Sequence, residues 1–208
     1  MCQDGPVPEV VRPYRGVSAE DRRRQRRSQL LEAGLDVVGE AGVAETTVGL
    51  VCRRAGLSKR YFYESFADRE ALLTAVLTGV FEDIRAALET ALADAPSSAE
   101  ERMTRLVTAT VEAIATDPRV SRLWVEANHQ PVLEQRRSEA YAEFADLLVS
   151  ILLPGREDDP DARTAFVLVV AGTTEVLRRW LAAGSPGSTA GIVDVLRRVG
   201  LAVTGEFG

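Results

Sequence analysis

The stretch TTVGLVCRRAGLSKRYFYESF, Thr46 to Phe66, decides how the chain is read. Its last ten residues carry four aromatic rings, Tyr61, Phe62, Tyr63 and Phe66, directly after Lys59 and Arg60. Lys59 is the only lysine among 208 residues. The segment reads as helix, turn at Gly56, helix. The first helix starts at Thr46 or Thr47 and runs through Val48, Val51, Cys52 and Ala55; the second starts at Ser58. Neither is long enough to persist alone in water, so both must be held by packing on a neighbour. Ser58 is placed to accept a bond from a first-turn backbone N–H through its hydroxyl, and Leu57 and Phe62 then occupy the positions of a hydrophobic staple. Phe62 and Phe66 are four apart, share one face and turn inward. With that direction fixed, about 100° per residue sends Arg60 and Glu64 outward, Tyr61 to one shoulder, and Tyr63 and Lys59 to the other flank. Two rings thus serve the core, and two tyrosines and two cations remain for a partner.

Upstream, SAEDRRRQRRSQLLEAGLDVVGEAG has an S-x-x-D start at Ser18 and apolar residues Leu30, Leu31, Val37, Val38 and Ala41 at helical spacing. Gly42 stands where a helix ends on a left-handed residue. Residues 1–17, with Pro6, Pro8 and Pro13, read as a flexible tail. Downstream, DREALLTAVLTGVFEDIRAALETALAD reads as a long helix over 69–93, with Leu73, Leu77, Val80, Phe81, Ile84 and Leu88 on one stripe. About 25 residues at 1.5 Å each span roughly 37 Å, enough to leave one domain and enter another. Helical patterns follow at about 99–116, 118–127, 131–153, 161–183 and 188–204, and no stretch alternates as a strand does. The expected fold class is all-α.

Composition is that of an ordinary globular chain, with 46% hydrophobic and 27% charged residues. The net charge of −6 argues at first against a polyanionic partner, but its distribution reverses this. Residues 1–65 carry a balance of +2 and residues 66–208 one of −8, so a basic head sits on an acidic body. Cys2 and Cys52 are too few for a disulfide framework, and a reducing cytoplasmic setting is the expectation. Cys52 reads as a small core residue rather than a redox sensor. The longest apolar stretch, Ala165 to Gly172, is far shorter than the roughly 20 residues that span a bilayer, and the N-terminus has no apolar core of a signal peptide. No membrane role is expected.

The segment Thr46 to Leu77, with the preceding helix that ends at Gly42, resembles the N-terminal signature of TetR-type transcriptional regulators over about 60 residues. The resemblance implies three domain-level parts: a tail at 1–17, a three-helix helix-turn-helix DNA-binding domain at 18–67, and a helical ligand-binding and dimerisation domain at 68–208, joined by the long helix. It places Lys59, Arg60 and Tyr61 where base-reading side chains sit. Thr47, Tyr63 and Arg69 match residues that hold the DNA backbone, and Ser58 is placed beside them. Arg60 stands where glycine is frequent in such proteins and Tyr61 where a small hydroxyl residue is frequent, which puts more reach into the groove. The run containing Arg22, Arg23 and Arg26 could follow the phosphate backbone or enter the minor groove, as basic arms do.

In the C-terminal half an apolar cavity with a few polar groups is what a small-molecule sensor needs. The candidates for its lining are Met103, Trp124, Asn128, His129, Tyr141, Phe144, Phe166, Thr173 and Trp180. His129 is the only histidine, so no multi-histidine metal site can form, and no acid-base constellation with diagnostic spacing points to an enzyme; neither a cofactor nor a metal is expected. The last two helices are apolar on wide faces, Phe166, Val167, Val170, Leu177 and Leu181, then Ile192, Val195, Leu196, Val199 and Val203. Core and subunit interface both explain those faces, and the resemblance implies a homodimer through this helix pair. The expected function is a sequence-specific repressor of a double-stranded DNA operator, released by a small-molecule effector. A ligand-independent DNA binder, an activator and an all-α enzyme stand as alternatives.

Overall fold

The computed structural model describes residues 18–94, 98–128, 130–185 and 187–208. Among them every regular element is a helix: α1 (Ala19–Ala41), α2 (Val48–Ala55), α3 (Lys59–Tyr63), α4 (Arg69–Ala91), α5 (Ala99–Ala115), α6 (Pro118–Ala127), α7 (Pro131–Leu152), α8 (Pro160–Ala182) and α9 (Thr189–Phe207). The expected all-α class is the observed one, with an N-terminal helix-turn-helix domain and a helical C-terminal domain. The tail expected at 1–17 lies outside the described residues.

Local chemistry sets each boundary. At α1 the Ser18 hydroxyl accepts the Asp21 N–H at 2.9 Å while the Asp21 carboxylate accepts the Ser18 N–H at 3.3 Å, a reciprocal capping box that satisfies two otherwise unpaired donors. The Ser18 hydroxyl and the Arg24 guanidinium hold the Asp21 carboxyl down at about 2. Thr47 begins α2 by accepting the Leu50 N–H at 3.2 Å, and Gly56 ends it at φ 65°, ψ 27°, a left-handed conformation that costs glycine nothing. The expected cap at Ser58 does not form: its backbone is extended as an N-cap should be, but its hydroxyl makes no capping bond. α3 has only five residues, so the Ser58 carbonyl, accepting the Phe62 N–H at 3.2 Å, is its structural contribution. Pro118, Pro131 and Pro160 each start a helix, where a missing N–H costs nothing.

α4 is the spine. Its 23 residues extend about 35 Å, with Leu72, Leu73, Val76 and Leu77 buried in the half that packs on α1 and Val80, Phe81, Ile84 and Leu88 buried among the C-terminal helices. α1–α3 close over Leu30, Val38, Val51, Phe62 and Phe66, all buried. Phe62 is fully enclosed and meets Phe66 at 5.7 Å between ring centroids. Cys52 is buried in α2, and burial pushes its thiol up, leaving it protonated and poorly nucleophilic at neutral pH. No described helix is long and apolar enough to cross a membrane.

Candidate nucleic-acid interface and ligand cavity

α3 separates its residues as the helical angles require. Phe62 is fully buried, whereas Lys59, Arg60, Tyr61 and Tyr63 are exposed on the opposite surface. The Arg60 side chain is 84% exposed and is ion-paired with Glu64 at 3.1 Å. An exposed pair of that kind is worth at most about 1 kcal/mol, so the guanidinium is readily given up to a better acceptor.

The arginine run is not an extended arm. It is the first half of α1, and it packs against α3 from the side. The Arg26 guanidinium lies 4.4 Å from the Tyr61 ring centroid and 3.7 Å from the Glu64 carboxylate, and Arg27 lies 4.5 Å from the Phe66 ring. Arg23 donates to the Glu64 carbonyl at 3.5 Å. The capping box starts the helix ahead of the run, and cation–π contacts fix Arg26 and Arg27 against the folded domain, which favours a helix here over a free arm. Arg22 and Arg23 remain on an exposed face beside α3, so the cations of α1 and α3 form one surface. Thr47 and Ser58 are exposed at the same end of the domain. Thr47 uses its oxygen as an acceptor for α2, which leaves its O–H proton to donate.

Arg69 is turned on the protein. Its Nε donates to the Thr46 carbonyl at 2.5 Å, and its Nη2 donates to those of Val43 at 2.5 Å and Ala44 at 3.4 Å. The first residue of α4 thereby satisfies the carbonyls of the α1–α2 connection. Hydrogen bonds from a charged donor contribute about 1.5–3 kcal/mol. Arg69→Ala is therefore expected to lower unfolding stability by about that amount in a denaturant titration, where a side chain serving only an external partner would leave it unchanged.

A second polar junction, which the sequence reading did not foresee, ties α6 to the end of α1. Arg119, Arg122 and Glu126 lie at i, i+3 and i+7, one face of α6. Arg119 donates to Asp117 at 2.7 Å, Glu32 at 2.7 Å and Asp36 at 2.5 Å, and its guanidinium on Asp117 holds that carboxyl below the usual carboxylate range. Arg122 donates to the Gly39 and Glu40 carbonyls at 3.2 and 3.0 Å, and Glu126 accepts the Val43 N–H at 2.6 Å. The approach is so close that a Cβ at Gly39 would stand 2.5 Å from Arg119 Cγ. Alternation of charge on one face and Val120, Leu123 and Trp124 on the other was the available sequence signal.

That opposite face of α6 borders a cavity of about 90 Å³. Phe81, Ile84 and Leu88 come from α4, Met103, Leu106 and Thr110 from α5, Trp124 from α6, Tyr141 and Phe144 from α7, Phe166, Thr173 and Thr174 from α8, and Leu196 and Gly200 from α9. Of the expected residues, Met103, Trp124, Tyr141, Phe144, Phe166 and Thr173 are thus brought together. Asn128 lies instead on a smaller adjoining pocket with Arg137, and the two share Phe81, Trp124, Tyr141 and Thr174 as a common wall. Trp180 borders neither and packs half-buried at the edge of the core. His129 lies outside the described residues.

The apolar faces of α8 and α9 resolve into two. Phe166, Leu177 and Leu196 point inward, whereas Leu168 (70% exposed) and Val176, with Gly172 between them at i+4, run along the outer surface of α8. Val195 and Val199 (50% exposed) do the same on α9. Exposed branched aliphatics at helical spacing on two adjacent helices form an apolar strip.

Residues 30–76 match the family model described as bacterial regulatory proteins, tetR family. The chain is 28% identical over 130 residues to the HTH-type transcriptional regulator BetI of Escherichia coli strain K12 / DH10B, covering 60% of this chain and 67% of that protein. It is similar in fold to the fatty acid degradation regulator FadR from Bacillus halodurans (TM-score 0.68, 18% identity, 86% of this chain and 95% of the other). It is also similar to the regulator FadR from Bacillus subtilis, solved in complex with stearoyl-CoA (TM-score 0.66, 19% identity, 85% and 97%).

Proposed function

We propose that this chain, a TetR-type regulator, is a homodimeric repressor that leaves its operator when a small molecule occupies the cavity of its C-terminal helices. A DNA-binding transcriptional regulator, not an enzyme, is what its relatives are. In this reading α3 enters the major groove, where Lys59, Arg60 and Tyr61 meet base edges; arginine suits the O6/N7 pair of guanine. Thr47, Ser58 and Tyr63, with Arg22, Arg23 and Arg26 of α1, hold the flanking phosphates. Arg69 serves the same surface by fixing the loop from which α2 starts. The strips on α8 and α9 meet their twofold copies, which sets two α3 helices against successive grooves.

One observation supports ligand control above the rest: α4 and α6 each touch both ends. α4 grips the α1–α2 loop through Arg69 and walls the cavity through Phe81, Ile84 and Leu88. α6 grips α1 through Arg119 and Arg122 and walls the cavity through Trp124. A ligand that moves either helix moves α1–α3. It must favour the DNA-incompetent arrangement, because equal affinity for both would shift nothing. The test is a footprint on DNA flanking the gene, repeated with candidate small molecules. A protected site that one compound abolishes supports the proposal; protection that survives every compound binding the protein favours a ligand-independent DNA binder.

A further inference from the structure

We infer that the ligand of the cavity is a small carboxylate whose apolar body sits among Phe81, Phe144 and Phe166 and whose oxygens bond Trp124 Nε1–H and the Arg137 guanidinium. This rests on the cavity being an effector site. Two buried donors among the described residues are orphaned. Trp124 is 8% exposed, and its indole N–H has no hydrogen-bond partner among the described residues. Arg137 Nε is buried and has none among the described residues either, while its Nη1 donates to the Ala127 carbonyl at 3.3 Å. A buried donor without a partner costs free energy, most of all on a charged group, so the pair favours whatever brings an acceptor.

Trp124 and Arg137 both line the smaller pocket, and Trp124 belongs to the wall it shares with the main cavity. Neighbouring Arg136 is ion-paired with Glu143 at 3.0 Å; Arg137 has no such pair with a described residue. Among the described residues lining either pocket, Arg137 is the only charged side chain and no Asp or Glu is present. A cationic ligand would meet an uncompensated guanidinium, and a neutral one would leave its charge uncompensated, whereas a carboxylate neutralises it and matches its fork with two parallel bonds. The cavity limits the body: about 90 Å³, at about 10–15 Å³ for each water-sized site, holds about six to nine non-hydrogen atoms.

The test uses the full chain and matched probes: benzoate and hexanoate, benzyl alcohol and hexanol, benzylamine and hexylamine. Binding is read by calorimetry and by tryptophan fluorescence. The wild type is expected to bind the better carboxylate at least tenfold more tightly than its alcohol or amine. Arg137→Met, shown folded by circular dichroism, should weaken that carboxylate about tenfold and the matching alcohol by a clearly smaller factor, and Trp124→Phe, likewise folded, should weaken the carboxylate as well. Equal or better binding of the alcohols or amines, unchanged carboxylate affinity in both folded variants, or no binding by any probe overturns the inference. A footprint run alongside separates it from the effector reading. A carboxylate held by Arg137 that leaves DNA affinity unchanged sinks that reading alone, and DNA release by an amine with no carboxylate preference sinks this inference alone.

Discussion

Leu168→Glu in α8 is expected to turn the protein into monomers and to weaken operator binding at least about 100-fold, the scale lost when two linked sites act singly. Leu168 is 70% exposed, so the substitution leaves the subunit's own core intact. In a twofold interface each strip meets its copy, and the change puts two carboxylates into an apolar contact at once. Desolvating those charges opposes association far more than loss of one aliphatic contact. The consequence for DNA is geometric, since two recognition helices about 34–36 Å apart meet successive major grooves on one side of the duplex. Sedimentation and DNA titration measure both effects. A variant that sediments as the wild type does and keeps its affinity would contradict the role given to α8 and α9.

Phe62→Ala is expected to destabilise the protein by about 3–5 kcal/mol, the range for deleting a buried aromatic ring. Phe62 has no exposed surface and touches Tyr63 edge-on at 5.4 Å and Phe66 at 5.7 Å. α3 has five residues and no side-chain cap, so this anchor supplies much of what holds the helix against α1 and α2. Chemical denaturation measures the loss. A change below about 1 kcal/mol would show that α3 is positioned by something other than its core ring.

The division of LSKRYFYESF was legible because helical periodicity is a local property: Phe62 and Phe66 inward, with Lys59, Arg60, Tyr61 and Tyr63 outward, follows from spacing alone. The order of helices among the described residues followed for the same reason, with prolines and capping residues marking the starts. Long-range polar partners were not legible. Arg69 reads as a cation for the DNA backbone until the carbonyls of Val43, Ala44 and Thr46, more than twenty residues away in sequence, are found around it. Arg119 and Arg122 reach α1 across still longer separations. Arg137 sits beside a paired Arg136, and only packing shows that its Nε is buried without a partner among the described residues. The wide apolar faces of the last helices were visible in the sequence, but which residues turn inward depends on how α5, α7, α8 and α9 pack together. Leu168 and Val176 therefore escaped notice.

The most direct test of the account is one competition titration of the footprinted duplex against random duplex, for the wild type and Arg60→Ala, over a range of salt. The account predicts a steep fall of affinity with salt and a preference for the footprinted site of at least about 1,000-fold in the wild type. In Arg60→Ala the site should weaken by about 1–3 kcal/mol while random DNA changes little. A wild type without preference, or an Arg60→Ala variant with unchanged affinity and preference, would contradict the claim that α3 reads DNA.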